Sequence, residues 1–338
     1  MTPGPPGELP RFSSPLVRDL VWVARCAPLL DIRWPPGSIR NGGNRPFLVS
    51  DPSHWLLEED LDASWERVRP LLSGLDEDPS PLERWIAPFA GRRRGHLFEG
   101  LLAWWFMMDP SVEILGMDIP LYRLQRRSRG KEGNKRGSSR RSLGEIDFML
   151  DWEGEIVHLE VAVKYYLGLP GAGADLSRYV GRDFRERLDE KVSHMLNHQR
   201  ETTGTPEGVA ALEYRKIPRP DRRLVSLRGI LFPALADLPD REVPRYWWGS
   251  PGDFLRRLPS DSRWMPAGEN HWFGSPWGGS RESSLTGLRS RDELFSPEEL
   301  LRQESWFVSG QPCLVIGREE TPRGDREFSR GFICQRQF

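Results

Sequence analysis

A chain of 338 residues with 38% hydrophobic residues and 14 Trp has the material for one large core or two ordinary ones, and no run in it approaches 18 consecutive apolar residues, so no membrane span is expected. A net charge of −1 gives no global attraction to polyanions, and any nucleic-acid contact must come from local basic patches. Three Cys (Cys26, Cys313, Cys334) without CxxC spacing argue against a cysteine zinc site and fit a reducing, cytoplasmic setting.

Residues 1–14 are rich in Pro and Gly, lack the pattern of a secretory signal, and are expected to be a disordered tail. Leu16, Leu20, Val23, Ala24 and Ala27 recur near the helical period and predict a helix over 15–27. Residues 31–50 read as a loop, 55–73 as helical, and Pro79-Ser-Pro81 as a joint. The segment Arg92–Met108 predicts a helix that is apolar around most of its circumference and therefore buried on more than one side. Residues 112–124 read as one bent strand and 125–143 as a polar, basic loop. Residues 144–151 and 155–167 alternate, and the short connection through Asp151 and Gly154 makes them an antiparallel hairpin. A Gly- and Pro-rich loop leads to a helix over 182–200 with Phe184, Leu188, Val192, Met195 and Leu196 as its stripe, and 224–232 read as a strand. Residues 244–280 carry Trp247, Trp248, Trp264, Trp272 and Trp277 with little periodicity and read as aromatic plugs in a loop-rich region. Ser296 and Glu299 form a capping box for a short helix, and strands near 312–317 and 328–334 close the chain.

Chemistry concentrates on the hairpin. In 155–167 one strand face is wholly apolar (Val157, Leu159, Val161, Val163, Tyr165), while the other carries His158, Glu160, Ala162, Lys164 and Tyr166. Glu160 and Lys164 stand about 13 Å apart along that face. On the preceding strand, turning Ile146, Phe148 and Leu150 to the core puts Asp147 beside Glu160. Two carboxylates that close cannot both stay ionised without a cation, and a hard ion such as Mg²⁺ or Mn²⁺ meets that need. Such an ion polarises a phosphate and activates a bound water, with Lys164 at the phosphate.

An Asp on one strand, followed about a dozen residues later by a Glu and a Lys on the next, resembles the centre of the PD-(D/E)XK nuclease superfamily. The usual spacing there is Glu-x-Lys. Here Ala162 holds that place and Lys164 follows one side-chain repeat later. The phrases VRDLVWV, GEIDFML, HLEVAVKYYLGLP, RLDEKVSHMLNHQ and the terminal RGF resemble a bacterial domain-of-unknown-function family that has been assigned to the same superfamily from sequence.

The resemblance implies an α/β, restriction-endonuclease-like core with a mixed central sheet flanked by helices. The expected organisation is a tail (1–14), an N-terminal helical segment (15–90), the nuclease-like core (91–235) and a Trp-rich C-terminal extension packed on it (236–338). It implies metal-dependent hydrolysis of phosphodiester bonds, in DNA rather than RNA, with Asp147, Glu160 and Lys164 catalytic and Glu99 joining Asp147 and Glu160 as metal ligands. His158, Lys191 and Gln199 are candidates for supporting positions, and His96 lies near Glu99. Arg126, Arg127, Arg129, Lys131, Lys135, Arg136, Arg140 and Arg141, with Arg92-Arg-Arg94, are candidates for phosphate contact. His194 and His198 have a zinc-compatible spacing without the Glu of HExxH, and read as solvated. The alternative expectation is a catalytically inactive nuclease-fold protein that binds nucleic acid or a protein partner, a second copy included.

Overall fold

The computed structural model describes residues 12–33, 47–89, 93–125, 139–239, 243–267, 273–274, 294–303, 311–322 and 324–335. Helix α1 (Pro15–Arg25) is capped by the Ser14 side chain and buries Val17, Leu20, Val21, Val23 and Ala24. Residues 12–14, expected within the tail, are held against the helices. Phe12 is buried, and the Ser13 and Ser14 N–H groups donate to Asp76 at 2.8 and 2.7 Å.

A short parallel pair follows, β1 (Asp31–Arg33) with β2 (Phe47–Val49), in a segment expected to be loop throughout. The helical stretch after it breaks into α2 (Glu58–Val68) and α3 (Leu72–Glu77). The expected joint at Pro79–Pro81 instead starts α4 (Ser80–Ile86), because proline is tolerated in a first helical turn.

Helix α5 (Arg94–Met108) buries Phe98, Leu101, Leu102, Ala103, Trp105 and Phe106. Its all-round apolar character is met by partners on two sides. Trp105 stacks on Trp65 of α2 at 5.8 Å and donates to Ser64 at 2.9 Å, while Phe106 meets Phe148 edge-on at 5.7 Å on the sheet side.

The sheet begins with β3 (Val112–Gln125), β4 (Ser139–Trp152) and β5 (Glu155–Gly168) as an antiparallel meander. Strand β3 bends at shifts in register between Ile114 and Gly116 and between Leu121 and Tyr122. The β4–β5 turn has positive φ at Glu153 (56°) and Gly154 (86°), the backbone of a tight hairpin turn. Strand β6 (Tyr179–Gly181) pairs with the far end of β5. After α6 (Leu188–His194) and α7 (Pro206–Arg215), β7 (Arg222–Phe232) runs parallel to β5 from Val157 to Leu167. The architecture is α/β with mixed sheets.

Two apolar clusters sandwich β5. Val157, Leu159, Val161 and Val163 join α1, α2 and α5, whereas Tyr166 and Ala162 join Leu188, Val192 and Met195 from the α6 side. Phe148 and Leu150 share the first cluster, but Ile146 does not. It is buried with Ile119, Leu121, Met149 and Leu212 beneath α7.

The remaining residues add β8 (Tyr246–Gly249), α8 (Pro251–Arg257), β9 (Arg263–Pro266), α9 (Pro297–Arg302), β10 (Cys313–Thr321) and β11 (Gly324–Ile333). Their sheet has the order β8-β11-β10-β9. Trp247, Trp248 and Trp264 are buried in its strands, so much of this segment is regular rather than looped. Trp272 and Trp277 lie outside the described residues. The Trp248 indole donates to the Gly168 carbonyl at 2.7 Å and Phe332 packs on Phe232 at 4.8 Å, which ties this sheet to the first.

Gly229 pairs with Lys164 at φ +134°, and a Cβ there would lie 1.8 Å from the Lys164 carbonyl oxygen. Gly229→Ala is expected to lower stability by roughly 2–5 kcal/mol through strain and overpacking. Urea unfolding measures this, and a midpoint equal to wild type would refute the close pairing.

Candidate functional site

Strands β4 and β5 part company at Asp147 and Glu160. Their regular pairing runs from Trp152–Glu155 to Phe148–Leu159 and stops there. On the same edge of β5, pairing resumes only with β6 at Tyr166. Among the described residues, no strand accompanies that edge from Glu160 to Tyr165.

Two carboxylates take over the backbone bonds at this fork. Asp147 Oδ2 accepts the Val161 N–H at 2.8 Å, and Glu160 Oε1 accepts the Asp147 N–H at 3.4 Å. Glu160 is fully buried (0% exposed) and Asp147 nearly so (7%), so neither charge is relieved by water. Burial, and after it the Glu160 charge, hold the Asp147 carboxyl well above the usual carboxylate range; the Val161 N–H opposes this, and Glu99 and Glu145 add to it.

The polar face of β5 leads to a network that grips Glu160. His158, also fully buried, places Nε2 2.8 Å from Glu160 Oε1. Its Nδ1 lies 3.1 Å from Thr203 Oγ1, which itself accepts from Arg223 Nε at 3.0 Å. Thr203 can then give its proton to Nδ1, which leaves Nε2–H as the donor to Glu160.

The other carboxylate oxygen, Oε2, accepts from Gln199 Nε2 at 3.0 Å. Gln199 ends a π-helical turn, Met195–Gln199, that continues α6. Such a turn brings residues five apart into register. Accordingly Gln199 Oε1 accepts from His194 Nδ1 at 3.2 Å, as well as from Lys191 Nζ at 2.9 Å. His158, Lys191 and Gln199 are thus brought together around Glu160.

Lys164 lies on the same strand face but is directed elsewhere. Its ammonium pairs with Glu186 Oε2 at 2.8 Å, and Glu186 also accepts the Tyr166 hydroxyl. The helix expected from residue 182 starts only at Leu188. Residues 182–187 form a turn, with Phe184 at φ 60°, and this aims Glu186 back at β5.

Glu99 faces His96, with 3.1 Å between Oε2 and Nδ1. Burial raises its pKa, the His96 contact opposes the shift, and Asp118 and Glu145 add to it. The Glu99 charge acts on Asp147 through space, and among the described residues no hydrogen bond or ion pair joins the two. Among the described residues, no three or more His, Cys, Asp or Glu side chains form a group that could hold a metal ion. Asp147 and Glu160 still fit a hard ion of the Mg²⁺ type. Such ions are commonly held by one or two carboxylates with water and phosphate completing the shell.

The rings of His194 and His198 are neighbours at 5.4 Å, and both residues are exposed. Of the basic residues, Arg126, Arg127, Arg129, Lys131, Lys135 and Arg136 lie outside the described residues, as does Arg92. Arg140 and Arg141 belong to β4, with Arg141 exposed, and neighbouring Arg123 is paired with Glu207 at 2.7 Å.

Sequence reasoning did not find Glu186, Thr203, Arg223, Asp118 or Glu145. Asp189 and Glu190 in the first turn of α6 were the available sign of a helix start near 188. The expected strand over 224–232 leaves Arg223 out, and its pairing with His158 needs the β5–β7 register. Thr203 left no sequence signal.

The profile of the DUF1853 family, described as a domain of unknown function, matches residues 18–333. The chain belongs to this family. No curated protein and no solved structure matches the chain. The expected membership in a domain-of-unknown-function family is met, and the match assigns no activity to it. No helix among the described residues is long and apolar enough to cross a membrane.

The raised Asp147 pKa has a defined sign in stability. The folded value lies above the unfolded one, so the contribution is fully present below about pH 4 and is lost as pH rises through the folded pKa. Asp147→Asn keeps an acceptor for Val161 and removes one repelling charge. Without divalent ions it is expected to be more stable than wild type at pH 8, by on the order of 1 kcal/mol, with the gap closing toward pH 4. Thermal melts across pH test this, and a gap that does not vary with pH would refute it.

Proposed function

We propose that this protein is a metal-dependent phosphodiesterase acting on DNA, built on a restriction-endonuclease-like core. The observation that carries the reading is the fork, where Asp147 and Glu160 are buried together with like charge. The chain order supports it. Helix α5, the β3–β4–β5 meander, helices α6 and α7, and β7 parallel to β5 form a mixed sheet flanked by helices, the coarse arrangement that the PD-(D/E)XK resemblance implies.

A bound Mg²⁺ or Mn²⁺ would polarise the scissile phosphate and lower the pKa of a coordinated water. Asp147 and Glu160 would hold it from the two sides of the fork. Gln199 and His158 fix both oxygens of Glu160, so the carboxylate is positioned before anything binds. The edge of β5 from Glu160 to Tyr165, unaccompanied among the described residues, is where a substrate backbone would approach. A cation on the α6 side faces the charge that develops on phosphate. DNA as the substrate rests on the basic run around residues 126–141 in the sequence.

One observation favours a second reading, a nuclease-fold protein that binds nucleic acid without cutting it. Both oxygens of Glu160 already accept hydrogen bonds and Lys164 is neutralised by Glu186, as in a network that needs no metal.

Purified protein is incubated with plasmid, linear duplex and single-stranded DNA in Mg²⁺ or Mn²⁺. Wild type should cleave at least one substrate, and Asp147→Asn and Glu160→Gln should lower the rate by about 100-fold or more. Mn²⁺ should raise the melting temperature of wild type but not of Asp147→Asn. Absence of cleavage with retained, metal-independent DNA binding would replace the first reading with the second.

A further inference from the structure

We propose that Lys191, rather than Lys164, is the cation that receives the phosphate group at this site; the inference rests on the phosphodiesterase reading and names its phosphate-binding residue. The two lysines differ in how their charge is used. Lys164 forms a 2.8 Å ion pair with Glu186, a residue fixed in place. The Gly181 N–H donates to the Glu186 carbonyl at 2.8 Å, an isolated bridge joins Val180 to Arg187, and the Tyr166 hydroxyl donates to the Glu186 carboxylate. Drawing Lys164 to a phosphate would leave that carboxylate unpaired beside the substrate.

Lys191 has no such partner. Among the described residues its ammonium makes one hydrogen bond, to the neutral Gln199 amide, and no ion pair. An ammonium has three donors, so two remain for an anion. The residue is half-buried on α6, and Gln199 links it directly to Glu160. Burial, and then the nearby Lys164, make its charge costly, while Glu186, Asp147 and Glu160 act through space to favour it. A cation held beside two acids without a direct counter-ion suits a ligand whose negative oxygens bridge a metal and an ammonium. A phosphodiester is such a ligand.

Binding of a fluorescein-labelled DNA duplex is measured by anisotropy at several salt concentrations, with Ca²⁺ replacing Mg²⁺, and cleavage is followed separately in Mg²⁺. Lys191→Met should weaken binding about 10- to 100-fold, the loss of one charge-assisted contact. It should also lower the salt dependence by about one phosphate contact, which a merely structural role would not do. Lys191→Arg should restore most of the affinity. The double variant Lys164→Met/Glu186→Gln, which removes the ion pair without leaving a bare carboxylate, should stay within about threefold of wild type. Thermal melts identify any variant that fails to fold, and the Arg variant then decides. The inference is overturned if the Lys164→Met/Glu186→Gln variant shows a larger loss than Lys191→Met, if neither changes binding, or if wild type binds no duplex. Wild type that binds duplex with this lysine ranking, yet never cuts it, overturns the phosphodiesterase reading and leaves the phosphate assignment standing.

Discussion

The fork between β4 and β5 is the constraint on which the rest of the site depends. Strand β4 is committed on one side to a long pairing with β3, whose register shifts bend the pair away. Strand β5 is committed on its other side to eleven consecutive parallel positions with β7, Val157 through Leu167. Both commitments cannot be kept in one flat ladder, so the strands separate after Phe148 and Leu159. Separation strands backbone donors in a buried place, and such donors need acceptors. Asp147 and Glu160 supply them, which explains why two acids occupy so deeply buried a place.

That solution has an electrostatic cost. Each carboxylate satisfies a backbone donor, but the two charges repel, and burial strengthens the repulsion. The network from Arg223 through Thr203 to His158 brings a proton to Glu160, and Gln199 brings another. These bonds place hydrogen-bond donors on Glu160, yet none delivers a full positive charge to Asp147. A site that were only a structural plug would be better served by a buried Arg, as happens elsewhere in this chain. Arg330 is held by Glu327 at 2.9 Å and by carbonyls of the 273–274 segment. The contrast supports reading the fork as a place kept for a cation, with stability given up locally for function.

Much of this was legible from alternation alone. The apolar face Val157–Leu159–Val161–Val163 fixes which way Glu160 and Lys164 point, and the Asp151–Gly154 turn fixes the hairpin. Together these put Asp147 opposite Glu160. What stayed hidden depends on contacts between distant segments. Ile146 alternates with Phe148 and Leu150, yet bending of the β3–β4 pair sends it under α7 with Met149. Residues 182–187 have helical spacing, but the β6 turn claims them, and that turn is what brings Glu186 to Lys164. Periodicity also assigned the Trp-rich segment to loops, because short strands such as Tyr246–Gly249 are too brief to show alternation.

The displaced lysine follows from packing on the α6 face. Ala162 stands where Glu-x-Lys spacing would put a lysine, and it packs against the cluster of Leu188, Val192 and Met195. A lysine there would thread its ammonium into apolar surroundings, at a cost of several kcal/mol without a partner. One repeat further, at Lys164, the side chain clears that cluster but reaches the fixed carboxylate of Glu186. The strand therefore offers no position from which a lysine can face the fork with its charge free. The helix does. The π turn after α6 places Gln199 five residues beyond His194 and in register with it, and Lys191 meets the same amide from one turn earlier. On this view the apolar packing that closes the strand position and the helical irregularity that opens the alternative are parts of one arrangement. Lys191 stands near the acids on α6, joined to Glu160 through Gln199, because the strand that carries Glu160 cannot hold a free ammonium there.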